Sequence, residues 1–65
     1  MPHIDITMYP GRDDETKKKL ALNVQKFIVD ELKVDKSAVT VSIEDVPKEK
    51  WDEHMESMTD KIRFI

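Results

Sequence analysis

Two short runs of strict alternation bracket one long run of helical periodicity, and this order constrains the chain more than any other property. From Pro2 to Tyr9, Ile4, Ile6 and Met8 alternate with His3, Asp5 and Thr7, the pattern of a strand with one buried face. From Ala38 to Asp45 the pattern returns, with Val39, Val41 and Ile43 set against Thr40, Ser42 and Glu44. Between them, Leu20, Val24, Phe27, Ile28 and Leu32 form one apolar stripe on a helix expected to run from Asp13 or Asp14 to about Lys33. The stripe must cover the sheet. Strand, crossover helix and strand make a βαβ unit, with a right-handed connection and parallel strands.

Local signals agree with this frame. Proline is tolerated at the first position of a strand, which suits Pro2. Tyr9-Pro10-Gly11-Arg12 fits a type II turn, because proline presets the second position and glycine accepts the positive φ of the third. Asp13 or Asp14 can cap the helix, and Glu15 falls in its first turn, where the macrodipole favours negative charge. The tail from Pro47 reads as a shorter helix carrying Trp51, Met55, Met58 and Ile62 at helical spacing, with Ile62 to Ile65 leaving it. Met55 and Met58 read as flexible filling at a packing contact. Lys17, Lys18 and Lys19 read as a solvated helix face, with Asp13 to Lys17 and Glu15 to Lys19 offering i,i+4 pairs.

The chain has 65 residues, which makes one domain spanning 1–65. Such a chain buries only about 60% of its unfolded surface. It has no cysteine to staple so small a core, and His3 and His54 fall short of a structural zinc set, so association is the remaining support. Two strands alone are a poor sheet, and pairing of the first strands of two protomers would complete it. The net charge of −3 and the scattered basic residues argue against a nucleic acid partner. No apolar run is long enough for a membrane span or signal peptide, so no membrane association and a cytoplasmic location are expected.

The opening residues carry the chemistry. Methionine aminopeptidase commonly acts before a small residue, and removal of Met1 would turn Pro2 into an N-terminal secondary amine. An α-amino group titrates near 8, and burial or a nearby cation lowers that further by disfavouring the ammonium form. A base poised near neutrality suits proton transfer at carbon beside a carbonyl, where general acid–base catalysis contributes roughly 10²–10⁴-fold.

These residues resemble the 4-oxalocrotonate tautomerase family over nearly the whole chain. The carriers are "MPHIDI" at the start, "PGRDDE" between strand and helix, "SAVTVSIEDV" in the second strand and Trp51 beyond it. "MPHIDI" with "VSIEDVPKEKW" looks most like the small dimeric phenylpyruvate-tautomerase branch. The resemblance implies a tautomerase-like β-α-β unit with a short C-terminal helix, and an isomerase that interconverts keto and enol forms without a cofactor. It puts the family's base on Pro2, its substrate-binding arginine on Arg12 and its aromatic pocket wall on Trp51, while Tyr9 falls on an apolar position of the same pocket. A second family arginine falls on Thr40. That departure removes one carboxylate clamp and the usual polariser of the reacting oxygen, so the implied substrate is an aromatic or monocarboxylate 2-oxo acid or its enol.

Pro2 and Tyr9 stand at opposite ends of one strand, roughly 23 Å apart at about 3.3 Å per residue, and Arg12 lies beyond the turn. One protomer cannot join them. Antiparallel pairing of two first strands can, which places Pro2 of one chain beside Arg12, Tyr9 and Trp51 of its partner. Arg12 would then hold the substrate carboxylate through paired charge-assisted bonds, and Trp51 would exclude water beside a phenyl ring. Hexameric relatives use a glycine-containing hairpin after the second strand, whereas this chain has no glycine after Gly11, so a homodimer is expected before a hexamer. The polar strand face, His3, Asp5, Thr7, Thr40, Ser42 and Glu44, would also be costly to bury without partners. His3 and Asp5 form an H-x-D pair without an evident third ligand, so no metal is expected. His54 reads as a solvated residue. The alternatives are a hydratase or dehalogenase of unsaturated acids using the same proline, and a non-catalytic oligomeric module.

Overall fold

A computed structural model describes residues 1–59 and 61–65. The chain runs β1 (His3–Met8), α1 (Asp14–Leu32), a 3-10 turn (Lys36–Ala38), β2 (Thr40–Asp45) and α2 (Lys48–Glu56). β1 and β2 form a two-stranded parallel sheet, in register from His3 against Thr40 to Met8 against Asp45. Because side chains alternate along a strand, this register puts Ile4 and Ile6 with Val41 and Ile43 on one face. His3, Asp5 and Thr7 share the other face with Thr40, Ser42 and Glu44.

The ladder also sorts the backbone. The Thr40 N–H donates to the Pro2 carbonyl at 3.2 Å and the Val46 N–H to the Met8 carbonyl at 2.9 Å. A strand residue turns its N–H and C=O to the same edge, so the even positions of β1 serve β2. His3, Asp5 and Thr7 present theirs to the opposite edge, which no strand among the described residues covers.

α1 begins where its signals predict. Asp13 is the N-cap, its Oδ1 accepting the Thr16 N–H at 2.8 Å, with Asp14 and Glu15 in the first turn. Lys33 ends the helix in the left-handed conformation, at φ 56°. The helix packs on β2 and is pinned there by Gln25, whose Nε2 donates to the Lys36 and Val39 carbonyls at 3.3 and 3.0 Å. Leu20, Val24 and Ile28 are half-buried as the stripe requires. Phe27 and Leu32, expected to cover the sheet, are instead 62% and 53% exposed, because a two-stranded sheet is too narrow for the whole stripe. Val39 and Val46 are the buried residues among those described, in a body of 37 × 32 × 15 Å.

Three further expectations are corrected. The second strand starts at Thr40 and not Ala38, because Asp35 caps the preceding 3-10 turn by accepting the Ser37 N–H at 3.0 Å. The last helix stops at Glu56, short of Met58, where the Ser57 hydroxyl donates to the His54 carbonyl at 2.6 Å; Ile62 lies outside it as expected, 67% exposed. Lys17 bridges to Asp45 at 2.6 Å, tying α1 to the end of β2 in place of an i,i+4 pair with Asp13. Gly11 adopts φ 129°, a conformation that favours glycine, in a turn without a closing backbone bond from Arg12 to Tyr9. Among the described residues no helix is long and apolar enough to cross a membrane.

The N-cap gives a signed expectation. Hydrogen bonds from Thr16, side chain first and backbone second, hold the Asp13 carboxyl below its ordinary 3.8. A lowered carboxyl contributes stability above that value and loses it as pH falls through the folded-state value. Asp13→Ala should therefore lower the thermal midpoint at pH 7, and the gap from the parent should close below pH 3.8 in circular dichroism melts.

Candidate active site

The far end of β1 meets the start of α2. Tyr9 continues the odd-numbered face of the strand, and α2, entered through Pro47 at φ −57°, brings Trp51 against it. The two rings stand edge to face, centroids 4.7 Å apart and planes at 73°. Thr7, Met8 and Arg12 complete the walls of an open pocket of about 330 Å³. The side chain of Arg12 donates to the Met8 sulfur at 3.9 Å, a weak contact, and among the described residues it pairs with no carboxylate. Its guanidinium is thus available to an outside anion.

The fold brings Tyr9, Arg12 and Trp51 together, and leaves Pro2 half-buried at the other end of the same strand. Beside Pro2 lies a network that sequence reading missed. His3 Nδ1 is 2.6 Å from the Thr40 hydroxyl, and His3 Nε2 is 3.0 Å from the Ser42 hydroxyl. Ser42 in turn donates to Asp5 Oδ1 at 2.5 Å. Hydrogen bonding with Glu44 first, and with Ser42 second, holds the Asp5 carboxyl below its ordinary value. The same contact with Asp5, with the like charge added, pushes Glu44 up. Two carboxyl groups so placed share a proton unequally.

Burying this face in a larger assembly was expected to be costly for want of hydrogen-bond partners. Its groups largely satisfy one another, so burial cost is no argument about assembly size. His54 is likewise corrected: it is half-buried over the polar face, its Nε2 3.5 Å from the Thr7 hydroxyl, because it stands one turn after Trp51 on the side of α2 that meets β1. The signal for both was parity, since positions 3, 5, 7 and 9 share a face in any strand.

Comparison with known proteins bears on the family and the fold. Residues 2–61 match the model of the family described as "Tautomerase enzyme". The chain belongs to the tautomerase family. A probable tautomerase of Xylella fastidiosa is 41% identical over 51 residues, 78% of this chain and 62% of that protein. The 2-hydroxymuconate tautomerase of Comamonas testosteroni is 39% identical over 78% of this chain and 81% of its own length. Tautomerase PptA of Escherichia coli is 33% identical over 78% and 69%. The crystal structure of DmpI from Helicobacter pylori shares the fold, with a TM-score of 0.72 at 24% identity over 89% of this chain and all of that one. The chain thus spans under two thirds of the Xylella tautomerase. Both strands and both helices fall within residues 2–61, the range that the family model matches.

The edge-to-face pair is measurable. A double-mutant cycle of Tyr9→Leu and Trp51→Leu in urea should give a coupling of about 0.5–1.5 kcal/mol. Additive losses would mean that the rings touch without holding each other.

Proposed function

We propose that this protein is a cytoplasmic keto–enol tautomerase acting on a phenylpyruvate-like 2-oxo acid, working as a homodimer with Pro2, freed by removal of Met1, as the general base. The observation that carries the reading is the pocket at the end of β1, where Tyr9, Arg12 and Trp51 converge and Arg12 pairs with no carboxylate. Antiparallel pairing of two β1 strands through their uncovered edges lays Pro2 of one chain beside that pocket of the other.

In such a site Arg12 holds the substrate carboxylate through two parallel bonds. Tyr9 and Trp51 enclose an aromatic ring and exclude water, which keeps the Pro2 amine neutral. Pro2 takes a proton from the carbon beside the ketone, or from the enol oxygen, and returns it at the other position. The pocket holds one cationic side chain, Arg12, which favours a substrate with one carboxylate. The Comamonas relative is named for 2-hydroxymuconate, a dicarboxylate, whereas Thr40 stands in this chain where a second clamp would be needed.

Mass spectrometry should find the protein without Met1, and Pro2→Gly should lower ketonisation of phenylenolpyruvate by roughly 10²–10⁴-fold. Mixed dimers of Pro2→Gly and Arg12→Ala chains should regain one intact site and up to half the parent activity per mixed dimer. No recovery would overturn the shared site. Chemical synthesis allows a separate test of the interface: N-methylation of the Asp5 amide blocks only the uncovered edge of β1. Sedimentation should then show monomers where the parent shows dimers.

A further inference from the structure

Resting on the reading of Arg12 as a carboxylate clamp, we propose that Met8 is an oxidation site: a peroxide converts its thioether to the sulfoxide, whose oxygen takes over the Arg12 guanidinium and weakens substrate binding until a reductase removes it.

Parity sets Met8 on the helix-facing side of β1 with Ile4 and Ile6, where a methionine would ordinarily be inert filling. Its place in the strand changes that. Met8 is the last residue of β1 and stays half-buried, forming part of the wall of the open pocket of about 330 Å³ with Thr7, Tyr9, Arg12 and Trp51. An opening that admits a 2-oxo acid to Arg12 admits the much smaller peroxide. The sulfur also has a specific neighbour, because Arg12 Nη1 donates to Met8 Sδ at 3.9 Å, and among the described residues Arg12 pairs with no carboxylate.

A thioether sulfur is a weak acceptor, so a substrate carboxylate displaces it from Arg12 easily. A sulfoxide oxygen is different. It is the negative end of a polar S–O bond, and the 3.9 Å between sulfur and nitrogen leaves room for it at the roughly 2.9 Å of an N–H···O bond. Facing a guanidinium, it accepts a charge-assisted bond, among the stronger hydrogen bonds that proteins make. The substrate must break that bond, since it occupies one arm of the fork that would grip both carboxylate oxygens. The same oxygen also makes polar the wall beside Tyr9 and Trp51, where an aromatic ring is to lie.

The step balances. A sulfur lone pair attacks one peroxide oxygen, the O–O bond breaks, and hydrogen peroxide leaves the sulfoxide and one water. Sulfur loses two electrons and the peroxide gains two. Methionine sulfoxide reductases, one for each epimer at sulfur, reverse the change and release the oxygen as water. Met55 on α2 and Met58 just after it are half-buried as well and serve as internal references.

The experiment treats the protein with hydrogen peroxide, removes the excess with catalase, and follows binding of 3-phenylpropionate, which has the ring and carboxylate but no ketone, by the fluorescence of Trp51, the one tryptophan of the chain. Peptide mass spectrometry should place one added oxygen on Met8, the affinity should drop roughly tenfold, and the reductases should restore it. KM for phenylenolpyruvate should rise by a similar factor with kcat within a few-fold. Each variant is scored against its own untreated form. Met8→Leu should not respond to peroxide, Arg12→Ala should lose nothing beyond its own weak binding, and the double variant Met55→Leu, Met58→Leu should respond as the parent does. A Met8 that stays unmodified, or a Met8 sulfoxide that leaves the affinity unchanged, overturns the oxidation site and leaves the tautomerase reading standing. Untreated protein whose binding does not depend on Arg12 overturns the clamp and the oxidation site together.

Discussion

The parallel register of β1 and β2 is the constraint from which the rest of the molecule follows. Setting His3 against Thr40 and Ile6 against Ile43 decides at one stroke which side chains face the helix and which face solvent. It commits the even residues of β1 to internal hydrogen bonds and leaves the odd ones an edge. It also brings Thr40 beside Pro2 and the end of β2 beside the pocket, although these positions are far apart in the chain. No part of the site depends on a long loop.

Energetically the unit is thin. Two buried valines and a half-buried stripe remove little apolar surface from water, at roughly 25 cal/mol per Å². The hydrogen bonds of the polar face lie at the surface, where water competes for the same groups, so each contributes little. The Lys17 to Asp45 bridge is partly exposed and of similarly small worth. What the polar face supplies is order: His3 is fixed by two partners and Asp5 by a hydroxyl and a second carboxyl. The exposed Phe27 and Leu22 leave apolar surface uncovered in the single chain.

Much of this was legible in the residues. Alternation gave both strands, the Asp13 cap and the Lys33 end fell within a residue of expectation, and Gly11 took the positive φ its turn requires. What failed was everything that depends on the distance between elements. Phe27 belongs to the apolar stripe by periodicity, yet its exposure is set by the width of a sheet that the sequence does not state. His54 looked solvated because α2 is charged around most of its circumference, and only its approach to Thr7 shows otherwise. Asp35 displaced the strand start because a short polar side chain can end one element and begin another within a few residues. For the site, Tyr9, Arg12 and Trp51 were readable as a group, whereas the links from His3 to Thr40 and Ser42 needed the strand register.

The double sorting of β1, side chains by face and backbone by edge, has a consequence for how such a chain can vary in evolution. Both sortings share one parity, so they cannot be altered separately. Inserting a single residue between His3 and Met8 would swap the faces and the edges beyond it together, turning Tyr9 toward the helix and its amide toward β2. Two inserted residues would restore both but lengthen the span between Pro2 and the pocket by about 7 Å. The strand should therefore tolerate substitution far better than any change of length, and indels among its relatives are expected in the segments that follow α1 and β2.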